Sequence, residues 1–309
     1  MSTNWQLCAQ NLIFAKSGGD AALKAFLDAN LDSVRQVIEG IDPGGADPGA
    51  GAGARMVVNI SCKHVPAFCE LSKNGDPKPY KNAYDLNRVQ PERQWVDSLI
   101  RAVTGIKPKD LYFAAAEISG TGIRFYGDMT LVLKRATDPA TGEDAWNAVS
   151  LLDRDSFDLL FEPLRSKIEA EVHRSGRPYE DVAADELQNL SGTWGGDLPD
   201  MAWGKVLPSL PVGERRWTTG QIAGHVLEDE DYLEVLRAAS FGAADLHEVR
   251  LSASDAAAEA DIADREANGE APSIHELEWR QQRREAKRAL AALHVPVRVV
   301  TTAGRVKGG

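Results

Sequence analysis

The sequence predicts an α+β protein, and three observations carry that expectation. Short apolar and β-branched runs, such as residues 56–60 and 129–133, read as buried strands. Longer stretches repeat apolar residues at steps of three and four, as amphipathic helices do. Their order runs strand, helix, strands, helices, strands, helix, strand, which departs from strict βαβ alternation.

Taken along the chain, residues 20–40 form the first clear helix. Leu23, Phe26, Leu27, Leu31, Val34, Val37 and Ile38 share one face, Asp20 offers a cap and Gly40 a stop. Residues 42–55 are rich in Gly, Pro and Ala and read as a linker. This divides the chain into an N-terminal helical element, 1–41, and a main body, 56–309. The body opens with a strand at 56–60, a helix near 66–72 and a stop at Asn74–Gly75. Pro91 suits the first turn of a helix over 91–103. Strands follow at 111–116 and 123–134, and the turn residues at 138–142 point to a hairpin between 128–134 and 146–152. Residues 162–173 and 179–190 read as helices.

Residues 191–211 combine Gly, Pro and Trp and read as an irregular binding loop displaying Trp194 and Trp203. The Ala-rich run 253–271 reads as a solvated helix or a loose connection. Ser273 and Glu276 form a capping box for a helix reaching His294. Its basic residues, Arg280 to Arg288, are interleaved with glutamates, as on a salt-bridged solvent face. A β-branched strand over 295–301 ends the pattern, followed by Lys307, Gly308 and Gly309, which look like a conjugatable tail or a chance ending.

Composition narrows the function classes. The 309 residues are 43% hydrophobic and 26% charged, and no apolar run is long enough to span a bilayer. No signal peptide is visible, so an intracellular, cytoplasmic protein is expected. A formal net charge of −11 argues against a broad duplex nucleic-acid footprint. Cys8, Cys62 and Cys69 fit neither a disulfide framework nor a zinc spacing. No phosphate loop, dinucleotide glycine fingerprint or nucleophile elbow is present, and no metal is expected.

Two segments carry the remaining chemical signal. Glu234 heads a short apolar strand, followed by a turn and a second strand at 247–251. The run 119–128 places Thr121, Arg124, Tyr126 and Asp128 among three glycines, which suits either close backbone approach to a ligand or a bulged corner. A nuclease reading of Glu117, Asp128 and Lys134 is weaker, because position 132 is Val where an acid is wanted.

The stretch 57–75, with His64 after its strand, resembles the opening of ADP-ribosyltransferase toxins and effectors, including the DarT-like ones. The segment led by Glu234 resembles their closing strands. Together these cover about 40 residues of the 309. The resemblance implies a split, strongly bent β-sheet that grips NAD as a substrate, without a metal. It implies Glu234 as the catalytic carboxylate, and His64, Tyr126, Arg124 and Thr121 as contacts to NAD. A fixed carboxylate suits that chemistry, because departure of nicotinamide leaves an oxocarbenium-like sugar. Position 232 is Tyr where the arginine-modifying subclass has a second glutamate, and the usual Ser-Thr-Ser strand is missing. The acceptor, protein or nucleic acid, therefore stays open. The alternative is a non-catalytic interaction module on the same fold, meeting a protein partner at Trp194 and Trp203.

Overall fold

A computed structural model describes residues 4–40, 53–72, 75–76, 78–135, 137, 140–210, 218, 221–222 and 232–301. Among these residues the strands form one hydrogen-bonded sheet of eight, in the order β5-β4-β6-β2-β1-β3-β7-β8. These are β1 Arg55–Ile60, β2 Tyr112–Glu117, β3 Met129–Leu133, β4 Ser150–Leu152, β5 Ser191–Thr193, β6 Glu234–Arg237, β7 Leu246–Ser252 and β8 Val297–Val300. Every neighbouring pair is antiparallel except β7 and β8, so the α+β class expected from the sequence is observed.

Register fixes which side chains share a face. Ala115 pairs with both Val57 and Glu234, and Leu152 pairs with Glu234. Because side chains alternate, Val57, Asn59, Phe113, Ala115, Leu152, Glu234 and Leu236 lie on one side of the sheet. Helices α4 (Pro91–Thr104), α5 (Leu164–Ser175) and α6 (Tyr179–Leu190) cover part of that side, packing Val96, Ile100, Ile168 and Leu187 with Leu152 and Leu236. A larger core joins the strands to α1 (Asn4–Ser17), α2 (Ala21–Glu39), the short α3 (Val65–Phe68), α7 (Trp194–Val206) and α9 (Ile274–Ala292).

Helix α2 ends as its sequence dictates. Asp20 accepts hydrogen bonds from the amides of Ala22 and Leu23, and Gly40 closes the helix with φ 88°. The N-terminal pair of helices packs on α7. Trp5 Nε1 donates to the Ser191 carbonyl at 2.7 Å, and Arg35 meets Asp200 at 2.9 Å. Residues 42–52 of the expected linker lie outside the described residues, as do Asn74 and the Lys-Gly-Gly ending.

Several sequence expectations are corrected. Residues 191–206 are not a loop but β5 followed by α7, with Trp194 and Trp203 both buried. Gly and Pro lower helix propensity there, yet the apolar side chains between them find a core, and packing overrides propensity. The two tryptophans are therefore core residues rather than a displayed binding surface. The 128–134 and 146–152 hairpin does not form: β3 pairs with β1 and β7, and β4 with β5 and β6. The expected 123–134 strand begins only at Met129, because Arg124–Tyr126 is a 3-10 turn.

Helix α9 has the Ser273–Glu276 capping box on both sides. Its basic residues do not all face solvent, however. Arg283 is 0% exposed and pairs with Asp128 at 2.9 Å and Glu259 at 3.0 Å. Glu259 belongs to α8 (Ala253–Ala267), which resolves the Ala-rich segment as a helix, and Arg280 likewise pairs with its Glu266.

Candidate functional site

A cavity of about 750 Å³ opens on the Glu234 side of the sheet. Its wall takes Val57 and Asn59 from β1, Phe113 and Ala115 from β2, Glu234 from β6 and Arg93 from α4. The segments after β1 and before α4 add His64, Phe68 and Tyr80, and Tyr126 and Tyr232 complete it. A ligand here meets mainly apolar and aromatic surface with a few polar groups, as in a typical small-molecule site.

Glu234 is the buried acid of this cavity, 3% exposed. Its Oε2 accepts a 2.9 Å hydrogen bond from the amide of Ser156. Burial pushes its carboxyl up to about 8, and the negative charge of Asp155 adds to the rise, while Arg93 and Ser156 oppose it. Asp155 is itself placed by the turn after β4, where it accepts from the amide of Phe157 at 2.9 Å. The Tyr126 hydroxyl donates to Asp155 at 3.2 Å. Burial, then the nearby carboxylates, hold the phenols of Tyr126 and Tyr232 well above their ordinary value. Both tyrosines thus serve as neutral hydrogen-bonding groups.

The glycines of the 119–128 run serve the protein's own packing. A side chain at Gly122, where φ is +60°, would meet Asn59 Oδ1 at 2.3 Å, and one at Gly127 would meet the Ile60 carbonyl carbon at 2.0 Å. Both glycines let the run lie flat on β1. Asn59 then ties it down, donating to the carbonyls of Thr121 and Gly127 at 2.9 and 3.2 Å and accepting from the amide of Ile123 at 2.9 Å. Tyr126 reaches the cavity as a result.

Of the residues singled out from the sequence, Glu234, His64 and Tyr126 line one cavity. Arg124 turns elsewhere, to Asp255 and Ser254 around α8. Thr121 is buried, with its carbonyl held by Asn59 and Thr130, and it is not among the lining residues. The nuclease trio does not converge. Glu117 accepts from the amides of Ile118, Gly120 and Gly122, Asp128 pairs with Arg283, and Lys134 donates to the Ala244 carbonyl. Among the described residues no group of three or more His, Cys, Asp or Glu is placed to hold a metal. The Cys62 thiol, pushed up to about 12 by burial and by Asp128, is unsuited to nucleophilic work.

Sequence reasoning missed Arg93, Asp155, Ser156 and Tyr232. Arg93 with Asp97 looks like an ordinary surface pair four residues apart on a helix. Asp155 and Ser156 sit in a short turn whose meaning depends on β4 pairing with β6, which no local signal gives.

Comparison with family models, curated proteins and solved structures finds no match to this chain. Among the described residues, no helix is long and apolar enough to cross a membrane.

Proposed function

We propose that this protein cleaves the nicotinamide–ribose bond of NAD, passing ADP-ribose to an acceptor or to water, as an intracellular toxin or defence effector. The observation that carries this reading is Glu234, a single buried carboxylate in an aromatic-walled cavity. The finer fold assignment, an ADP-ribosyltransferase type of sheet, belongs to the same reading and rests on the sequence resemblance at its two ends.

The chemistry asks little of the protein beyond electrostatics and position. The C1′–N bond breaks and its electron pair leaves with nicotinamide, which departs neutral. Positive charge then spreads over C1′ and the ring oxygen of the ribose. Ionised Glu234 is attracted to that charge more strongly as it develops, which lowers the barrier rather than merely tightening substrate binding. A hydroxyl of the acceptor, or water, supplies the new C1′–O bond and gives up its proton to the carboxylate or to solvent. Tyr126 and Tyr232 offer aromatic faces and neutral hydroxyls beside the same carboxylate. The Ser156 amide fixes the carboxylate's orientation.

The test is nicotinamide release from NAD by the purified protein, with Glu234→Ala as the comparison. Release by the wild type, reduced at least 100-fold in a variant of unchanged thermal stability, is the expected result. A folded Glu234→Ala variant that releases nicotinamide at the wild-type rate overturns the assignment of that residue. Wild-type protein that neither binds NAD nor releases nicotinamide, with or without cell extract as acceptor, overturns the reaction.

A further inference from the structure

We propose that Arg93 is the anion receptor of the cavity, and that the group it receives is a diphosphate. The inference rests on the cavity being the ligand site, as the reading above has it, and not on which bond is broken there.

Arg93 is held as a receptor would be. Its Nε donates to Asp97 Oδ1 at 2.7 Å, and Asp97, buried in α4, is held on its other oxygen by the Tyr84 hydroxyl at 2.8 Å. The guanidinium carbon stands 3.7 Å from the centroid of the Phe113 ring and 4.9 Å from that of Phe157. These contacts fix the plane of the fork and leave its far end unspent. Nη2 is buried with no hydrogen-bond partner. A buried N–H of a charged group without an acceptor is unfavourable, so a site that keeps one is poised for an acceptor from outside. The side chain is 16% exposed and lines the cavity.

Charge selects the class of ligand. The protein carries a formal net charge of −11, yet Lys63, Lys78, Lys81, Arg88 and Arg93 line this cavity against only Glu70 and Glu234. Glu70 is taken by Lys78 at 2.5 Å. A surplus of cations facing one cavity suits a polyanion better than a single carboxylate. A planar, permanently charged guanidinium suits phosphate oxygens in particular. Apolar and aromatic walls beside that charge provide for the rest of a nucleotide.

The experiment is calorimetric titration with ADP, inorganic pyrophosphate and adenosine, in parallel with nicotinamide release from NAD. Wild-type protein is expected to bind ADP and pyrophosphate, with affinity falling as salt rises. Arg93→Met, which keeps bulk over Phe113, is expected to weaken both at least tenfold and to leave adenosine unchanged. Arg93→Lys, which keeps charge but not the fork, should fall between them, and it carries the test should Arg93→Met fail to melt cooperatively. Absence of saturable ADP and pyrophosphate binding by the wild type overturns the proposal. So does a folded Arg93→Met, or in its place Arg93→Lys, that binds both as tightly as the wild type. Arg93-dependent ADP binding without nicotinamide release leaves this inference standing and removes the NAD reaction. Glu234-dependent nicotinamide release with an unchanged KM in Arg93→Met does the reverse.

Discussion

The amide of Ser156 donates to Glu234 Oε2 at 2.9 Å across 78 positions of sequence. The contact exists because β4 and β6 pair, setting Leu152 opposite Glu234 and bringing the turn after β4 beside that carboxylate. One hydrogen bond cannot offset the cost of burying a charge, so the acid is held mainly neutral near pH 7.

Stability should therefore fall as the solution becomes alkaline. The folded carboxyl, near 8, lies above the ordinary 4.5, so the native state keeps a proton that the unfolded chain has lost. That contribution is complete below about pH 4.5 and disappears as pH rises through about 8. Glu234→Gln, neutral throughout and still able to accept from Ser156, should be more stable than wild type at pH 9, on the order of 2–5 kcal/mol relative to their difference at pH 4. Urea unfolding at the two pH values measures this. A difference that does not change with pH would show that Glu234 titrates normally.

Binding of NAD should release a proton at pH 7. The pyridinium ring brings positive charge beside Glu234, which favours the ionised carboxylate. Titration in two buffers of different ionisation enthalpy should yield up to about one proton released per site, and close to none in Glu234→Gln. Equal proton release by both proteins would place the titrating group elsewhere.

The close approach at Gly127 leaves no room for a methyl group. Gly127→Ala would set its Cβ 2.0 Å from the Ile60 carbonyl carbon, so β1 or the Tyr126 turn must move. We expect a loss of about 2–4 kcal/mol in urea unfolding, together with weakened ligand binding. Gly142, whose φ is +74° but which has nothing within 4 Å, is the comparison: Gly142→Ala feels backbone strain alone and should lose only about 1 kcal/mol.

Trp203 is 0% exposed, and its Nε1 is buried without a partner. Trp203→Phe removes that unsatisfied donor along with part of the ring, so the two effects oppose each other. It should cost under about 2 kcal/mol, whereas Trp203→Ala should cost about 3–5 kcal/mol. Thermal or urea unfolding of the pair tests the assignment of this residue to the core. Losses below 0.5 kcal/mol for both, roughly what exposed sites show, would contradict it.

Legibility in the sequence followed the range over which each signal acts. The helix over 21–39 was readable because Asp20, its apolar stripe and Gly40 are all local, and the Ser273–Glu276 box was readable for the same reason. Strand β6 was legible as a short apolar run, and Glu234 at its head stood out as a lone acid. What stayed hidden was decided between distant segments. Whether Trp194 and Trp203 face solvent depends on α1 and α2 folding back over α7, which no 20-residue window contains. The glycines at 122 and 127 suited either a ligand's approach or a bulged corner, and the close partner proved to be β1 itself. Arg93 and Asp97 have the spacing of a surface pair, and only the packing of α4 on Phe113 turns the arginine inward.

Strand β6 lies between β2 and β4 in the sheet, although both of those precede it in the chain. A growing polypeptide thus emerges with β1, β2, the arginine of α4 and the Ser156 turn already synthesised, but without Tyr232 and the carboxylate. The two earlier strands cannot settle as neighbours; a gap one strand wide must stay open, or reopen, until residues 234–237 arrive to fill it. Such long-range insertion is slow compared with local helix formation. For a protein proposed to act on NAD, this order of assembly would keep the activity silent until the segment bearing Glu234 has been made and inserted.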